Sequence, residues 1–187
     1  MKRLTYVVRS RRSAEAVDFG KFSRSRYPLA GALDKRTDYD GVFRIVRSAV
    51  RQVLNRERTG LGLGLARLPA GLGAYWQLSG NVIVLNEGCI RVMRAMARST
   101  MEFNSFIFVM LAHEYLHSLG YIGEERNRAQ TAWVTRKALG PNHLATKMAE
   151  GDLWQMYPFL RFAPSGDGQR LRIVPRFDMA ATSAYIR

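Results

Sequence analysis

The residues whose types and spacing can do chemistry stand in one run, His113-Glu114-Tyr115-Leu116-His117. Histidines four apart lie on one face of a helix, a turn from each other, so their ring nitrogens can close on a single zinc ion. Glu114 projects from the adjacent surface, where it can take a proton from a zinc-bound water without being a ligand. The chemistry this spacing serves is metal-assisted hydrolysis of a peptide bond. Zinc acidifies the water and polarises the carbonyl, and Glu114 carries the proton to the leaving amine. Tyr115 and Tyr121 are close enough in sequence to be candidates for oxyanion stabilisation. The chain holds three His and eight Glu in 187 residues. Shuffling that composition would give roughly 0.002 occurrences of H-E-x-x-H, so composition alone does not produce it.

The motif must sit on a rigid element. Ser99-Thr100-Met101-Glu102 reads as a capping box. Phe103, Phe106, Ile107, Met110 and Leu111 then repeat at helical spacing. His113 and His117 continue the Phe106–Met110 line, and Gly120 stands where a left-handed C-terminal cap is wanted. The pattern predicts a helix of about twenty residues, roughly 30 Å long, with its first half packed by one apolar stripe and its last turns carrying the metal into a cleft. Upstream, Val42, Phe43, Ile45, Val46, Ala49, Val50, Val53 and Leu54 predict an amphipathic backing helix over residues 37–58. The Gly-rich stretch 60–73 breaks it. Residues 73–78 and 81–86 around Ser79-Gly80 predict a hairpin, and Leu171-Arg172-Ile173-Val174 a short strand after the turn at 164–168. The fold class expected is α+β: backing helix, small mixed β-sheet, active-site helix and following helices.

A backing helix, a small sheet ending in Ile83-Val84-Leu85-Asn86 and an H-E-x-x-H helix together resemble the minimal zincin fold. Residues 37–150 are most similar to the small archaeal zinc peptidases called minigluzincins, with H-E-x-x-H as the specific motif. The resemblance implies a zinc peptidase with a shallow cleft, in which a peptide or protein substrate lies extended against an edge strand. It also implies His113 and His117 as ligands and Glu114 as general base.

A catalytic zinc takes three protein ligands and keeps one open position. Metzincins place a third His where this chain has Gly123. Gluzincins take a Glu from the following helix, and here Glu124 and Glu125 open a helix expected over about residues 124–139. Acidic residues also suit the first turn of any helix. Glu124 is the first choice of third ligand, with Glu125 and His143 as substitutes and Glu150 a further candidate; a site lacking one would bind zinc weakly or be inactive. The spacing H-x-x-x-H-x-x-G-Y is similar to that of bacterial rRNA-maturation metalloproteins, but departs from their pattern at Glu114 and Gly123.

Net charge is +14, with 24 Arg among 29 basic residues. Arg suits bidentate phosphate contacts and stacking on bases. Residues 1–36 hold ten Lys and Arg against three acids. In that arm Arg9, Arg11, Arg12, Lys21, Arg24 and Arg26 interleave with aromatics, which reads as an RNA or ribosome contact strip. The alternative is therefore an RNA-associated protein on a zincin-like fold with its metal chemistry secondary or lost. A solvated tail and a pro-segment across the cleft are the other readings of the arm. The expected division is arm 1–36, zincin-like domain 37–160 and C-terminal extension 161–187. A single cysteine, Cys89, excludes an intramolecular disulfide framework. No apolar run is long enough to span a bilayer, and the N-terminus does not read as a signal peptide. These point to a cytoplasmic protein without a membrane partner. No P-loop and no GxGxxG fingerprint occurs.

Overall fold

The computed structural model describes residues 26–36 and 38–178. The chain runs through helix α1 (Pro28–Asp34), helix α2 (Tyr39–Leu54), strands β1 (Gly62–Ala66), β2 (Ala74–Trp76) and β3 (Val82–Asn86), then helices α3 (Glu87–Met96), α4 (Thr100–Ser118), α5 (Glu124–Leu139), α6 (Leu144–Glu150) and α7 (Leu153–Met156). A 3₁₀ turn (Pro158–Phe162) and strand β4 (Arg172–Ile173) complete it. The class is α+β.

The sheet is mixed, in the order β2-β3-β1-β4. β2 and β3 form the expected hairpin, and β4 pairs antiparallel with β1. β1 lies inside the stretch expected only to break the backing helix, and runs parallel to β3. Its Leu63 and Leu65 are buried, as is Leu61 just before it, so a two-residue alternation was present beneath the glycines. A Cβ at Gly64 would stand 2.5 Å from the Leu171 Cδ1, so that side chain would have to turn aside. α3 also lies outside the expected elements. Asn86 ends β3 and caps α3 by accepting from the Gly88 amide.

Helix α4 has the expected ends. The Ser99 hydroxyl accepts from the Glu102 amide, and the Glu102 carboxylate reaches back to the Arg98 amide, one residue beyond the N-cap. At the other end Gly120 has φ 98, with Gly120 N–H bonded to His117 C=O and Tyr121 N–H to Leu116 C=O. That pair of bonds is a Schellman cap, which stops the helix just after the second histidine. The middle departs from the one-stripe expectation. Asn104, Ser105, Phe106, Ile107, Phe108 and Val109 are consecutive and all buried, because α1, α2, α5, α6 and β2 pack around α4 from several sides. α4 is the central rod of the domain.

The two flanking segments join this core. The arm's last part forms α1, whose Leu33 is fully buried, and Asn104 donates to the Leu33 and Arg36 carbonyls at its C-terminal end. In the C-terminal extension, Phe177 stacks on Phe43 with ring centroids 4.6 Å apart. Asp178 pairs with Arg47 and accepts from the Gly60 and Leu61 amides. No helix of the described residues is long and apolar enough to cross a membrane.

Candidate metal centre

Helices α4 and α5 build the centre together. The Schellman turn reverses the chain after His117, and Gly123 caps α5, so Glu124 in its first turn faces the last turn of α4. The Nε2 atoms of His113 and His117 are 3.1 Å apart. Glu124 Oε1 lies 3.1 Å from His117 Nε2, and its Oε2 lies 3.4 Å from His113 Nε2. Among the described residues this is the one group of His, Cys, Asp and Glu whose candidate ligand atoms lie within 4.8 Å of one another. Three donors on a tetrahedron with bonds of about 2.0–2.1 Å would be about 3.3–3.4 Å apart. The two nitrogens, and the carboxylate oxygen facing each of them, stand near that spacing, so the carboxylate is within reach of one ion held by both imidazoles. Two imidazoles and one carboxylate are also a donor set that suits zinc.

The other third-ligand candidates are elsewhere. Glu125 is exposed and takes no part in the cluster. His143 caps α6, its Nδ1 accepting from the Ala145 amide while Nε2 sits 3.2 Å from Asp34. Glu150 pairs with Arg136 at 2.7 Å. Tyr115 is fully buried, with its hydroxyl accepting from the Arg58 amide and donating to the Arg58 carbonyl, so it faces the core. Tyr121 lies beneath the Arg56 and Arg126 guanidinium groups. Of the arm residues, Arg9, Arg11, Arg12, Lys21 and Arg24 lie outside the described residues, while Arg26 is exposed beside the Tyr27 ring.

Glu114 is 5 % exposed. Burial pushes its carboxyl up to about 8, Glu124's charge adds to the rise, and a backbone hydrogen bond at Trp76 opposes it. Burial also lowers the His113 pKa, with His117 acting the same way and Glu124 against it. A neutral imidazole is the form that ligates. Asn127, fully buried on α5, donates to the His113 carbonyl at 2.9 Å and ties the two helices together.

The edge strand is held against this helix by a residue that the sequence did not single out. The Arg58 guanidinium donates to Ser118 C=O at the end of α4 and to Gly80 C=O in the β2–β3 turn, and it lies 5.3 Å from the Trp76 ring centre. Its partners are 60 and 22 residues away, so no local pattern announces it. Asn86 donates to Gly73 C=O, and antiparallel alternation then turns Tyr75 toward β3 while Ala74 and Trp76 direct their peptide groups to the open edge. A cleft of about 1050 Å³ runs between this edge and the metal-facing side of α4. Tyr75, Trp76, Phe106, Met110, Arg128 and Trp154 are among the residues that line it.

Compared with protein-family profiles, with curated proteins and with solved structures, the chain matches none of them.

Proposed function

We propose that this chain is a zinc-dependent metallopeptidase of zincin-like architecture, with His113, His117 and Glu124 as zinc ligands and Glu114 as general base. The observation that carries the reading is the convergence of two imidazoles and one carboxylate, with Nε2–Nε2 at 3.1 Å and N–O approaches of 3.1 and 3.4 Å, beside a buried carboxyl on an open cleft. Zinc held there supplies a Lewis acid for the scissile carbonyl and for the attacking water.

The chain's own residues do the rest. Glu114 accepts the proton of the attacking water and returns it to the leaving amine; it must be ionised to begin, which the charge of a bound zinc would favour against its burial. The Trp76 peptide group orients the Glu114 carboxyl. The neighbouring Ala74 peptide, at the open edge of β2, is available to pair with an extended substrate backbone. Arg58 keeps this edge and α4 in register. Phe106 and Met110 give the cleft an apolar lining for substrate side chains.

A fluorogenic peptide library tests the proposal. Hydrolysis that a chelator abolishes and stoichiometric zinc restores is the expected result; hydrolysis indifferent to chelation, or none in the zinc-loaded protein, would overturn it.

A further inference from the structure

At the opposite end of α4 from the histidines lies a second hollow, of about 420 Å³. Thr100 and His113 are thirteen residues apart, which at helical rise separates the two sites by about 20 Å. The hollow therefore cannot be a subsite of the cleft. Three arginines from three segments line it: Arg36 after α1, Arg94 on α3 and Arg98 in the α3–α4 link.

Among the described residues six arginines have a carboxylate within 4.0 Å: Arg44 with Asp40, Arg47 with Glu57 and Asp178, Arg51 with Glu57, Arg128 with Glu124, Arg136 with Glu150 and Arg172 with Glu87. Arg36, Arg94 and Arg98 have no carboxylate within 4.0 Å among the described residues. The Arg36 Nε is buried without a hydrogen-bond partner.

The acids close by are already engaged. Asp38 caps α2 through the Gly41 amide, and Glu102 accepts from the Arg98 amide and the Tyr157 hydroxyl. Three guanidinium groups lining one hollow outnumber its one carboxylate, Asp38, and form no ion pair with it, an arrangement that an external anion satisfies. Two aromatic rings stand in the same hollow, Tyr39 and Phe103, and Arg94 already lies over Phe103 at 4.1 Å from its centre. Guanidinium groups beside aromatic faces match a phosphate joined to a base.

We infer that this hollow, lined by Arg36, Arg94, Arg98, Tyr39 and Phe103, is a binding site for the phosphate group of a nucleotide, free or within an RNA strand. The inference stands independently of the metal centre.

Titration calorimetry on the full chain tests it, with inorganic phosphate, a 5′-mononucleotide and a single-stranded RNA oligonucleotide as separate probes. Arg94 and Arg98 are exposed, so the double variant Arg94→Ala/Arg98→Ala keeps its fold, which thermal unfolding verifies. Arg161→Ala/Arg170→Ala, also exposed and outside the hollow, removes the same charge as a control. The expected result is a loss of about tenfold or more in affinity for the hollow variant, and less than about twofold for the control. Loss seen with phosphate or mononucleotide identifies a free ligand; loss seen with RNA alone identifies a strand. Equal effects of the two variants, or no binding of any probe at about millimolar concentration, would overturn the inference.

Discussion

Two carboxylates in this molecule face basic groups and use them in opposite ways. Asp178 is 2 % exposed; it pairs with Arg47 and accepts from the Gly60 and Leu61 amides, so its lone pairs are taken up inside the protein. Glu124 is exposed, and its two oxygens face two imidazole nitrogens at the mouth of a cleft. Two ring nitrogens and two carboxylate oxygens crowd there within 3.4 Å of their neighbours, with few groups of the protein to share them among. A structural ion pair closes on itself. The cluster at Glu124 is completed only from outside, by protons or by a cation, and that distinguishes a binding arrangement from a fastening one.

Substitutions at the two carboxylates and their neighbours should act differently. The largest expected effect is at Glu114. Glu114→Gln should cut peptide turnover by about 10²–10⁴-fold while zinc content stays unchanged, since the residue moves a proton and is not a ligand. Steady-state kinetics paired with metal analysis checks both halves. At the other region, Asp178→Ala should leave Arg47 without its most buried partner and destabilise the fold by about 3–5 kcal/mol in urea unfolding. Turnover per folded molecule should hardly change, because Asp178 lies away from the cleft.

A smaller effect concerns pH in the metal-free protein. Burial raises Glu114 from an ordinary 4.5 to about 8, so the folded state holds a proton that the unfolded chain releases, and stability falls as pH rises through that interval. His113 is lowered from 6.5, which costs stability only as pH drops below that value. Between about 6.5 and 8, then, stability should fall with rising pH by roughly 2 kcal/mol, and Glu114→Gln should flatten the curve. Thermal unfolding of chelated protein across that range would show it.

The smallest expected effect is at Tyr115, inside the motif but turned to the core. Tyr115→Phe should cost about 1–2 kcal/mol through the hydrogen bonds lost at Arg58, with zinc affinity unchanged. A comparable loss of zinc would mean that the motif's two sides are not separable.

What was legible in the sequence was local. Ser99, Gly120 and the 124–139 helix could be read because caps and helical periodicity are short-range signals, and the hairpin could be read from its turn. β1 was hidden because glycines ordinarily weaken strands, and it shows itself only through its parallel pairing with β3. The one-stripe reading of α4 gave way because a helix surrounded on several sides buries polar residues such as Asn104 and Ser105 as well. In the candidate site, His113, Glu114 and His117 follow from spacing along one helix. Bringing Glu124 to them, with Glu125 and His143 turned elsewhere, depends on the Schellman reversal and on Asn127 holding α5 to α4. Arg58 and the Trp76 peptide act across the fold, where no spacing rule reaches.

The central claim is a three-ligand zinc centre, and its most direct test is zinc content joined to X-ray absorption on the dialysed protein and on the His117→Ala and Glu124→Ala variants. One zinc per chain is predicted, with two imidazole nitrogens and a carboxylate oxygen at about 2.0–2.2 Å, and with zinc lost or much weakened in both variants. A chain that retains no zinc, or variants that retain it as tightly as the wild type, would contradict the account.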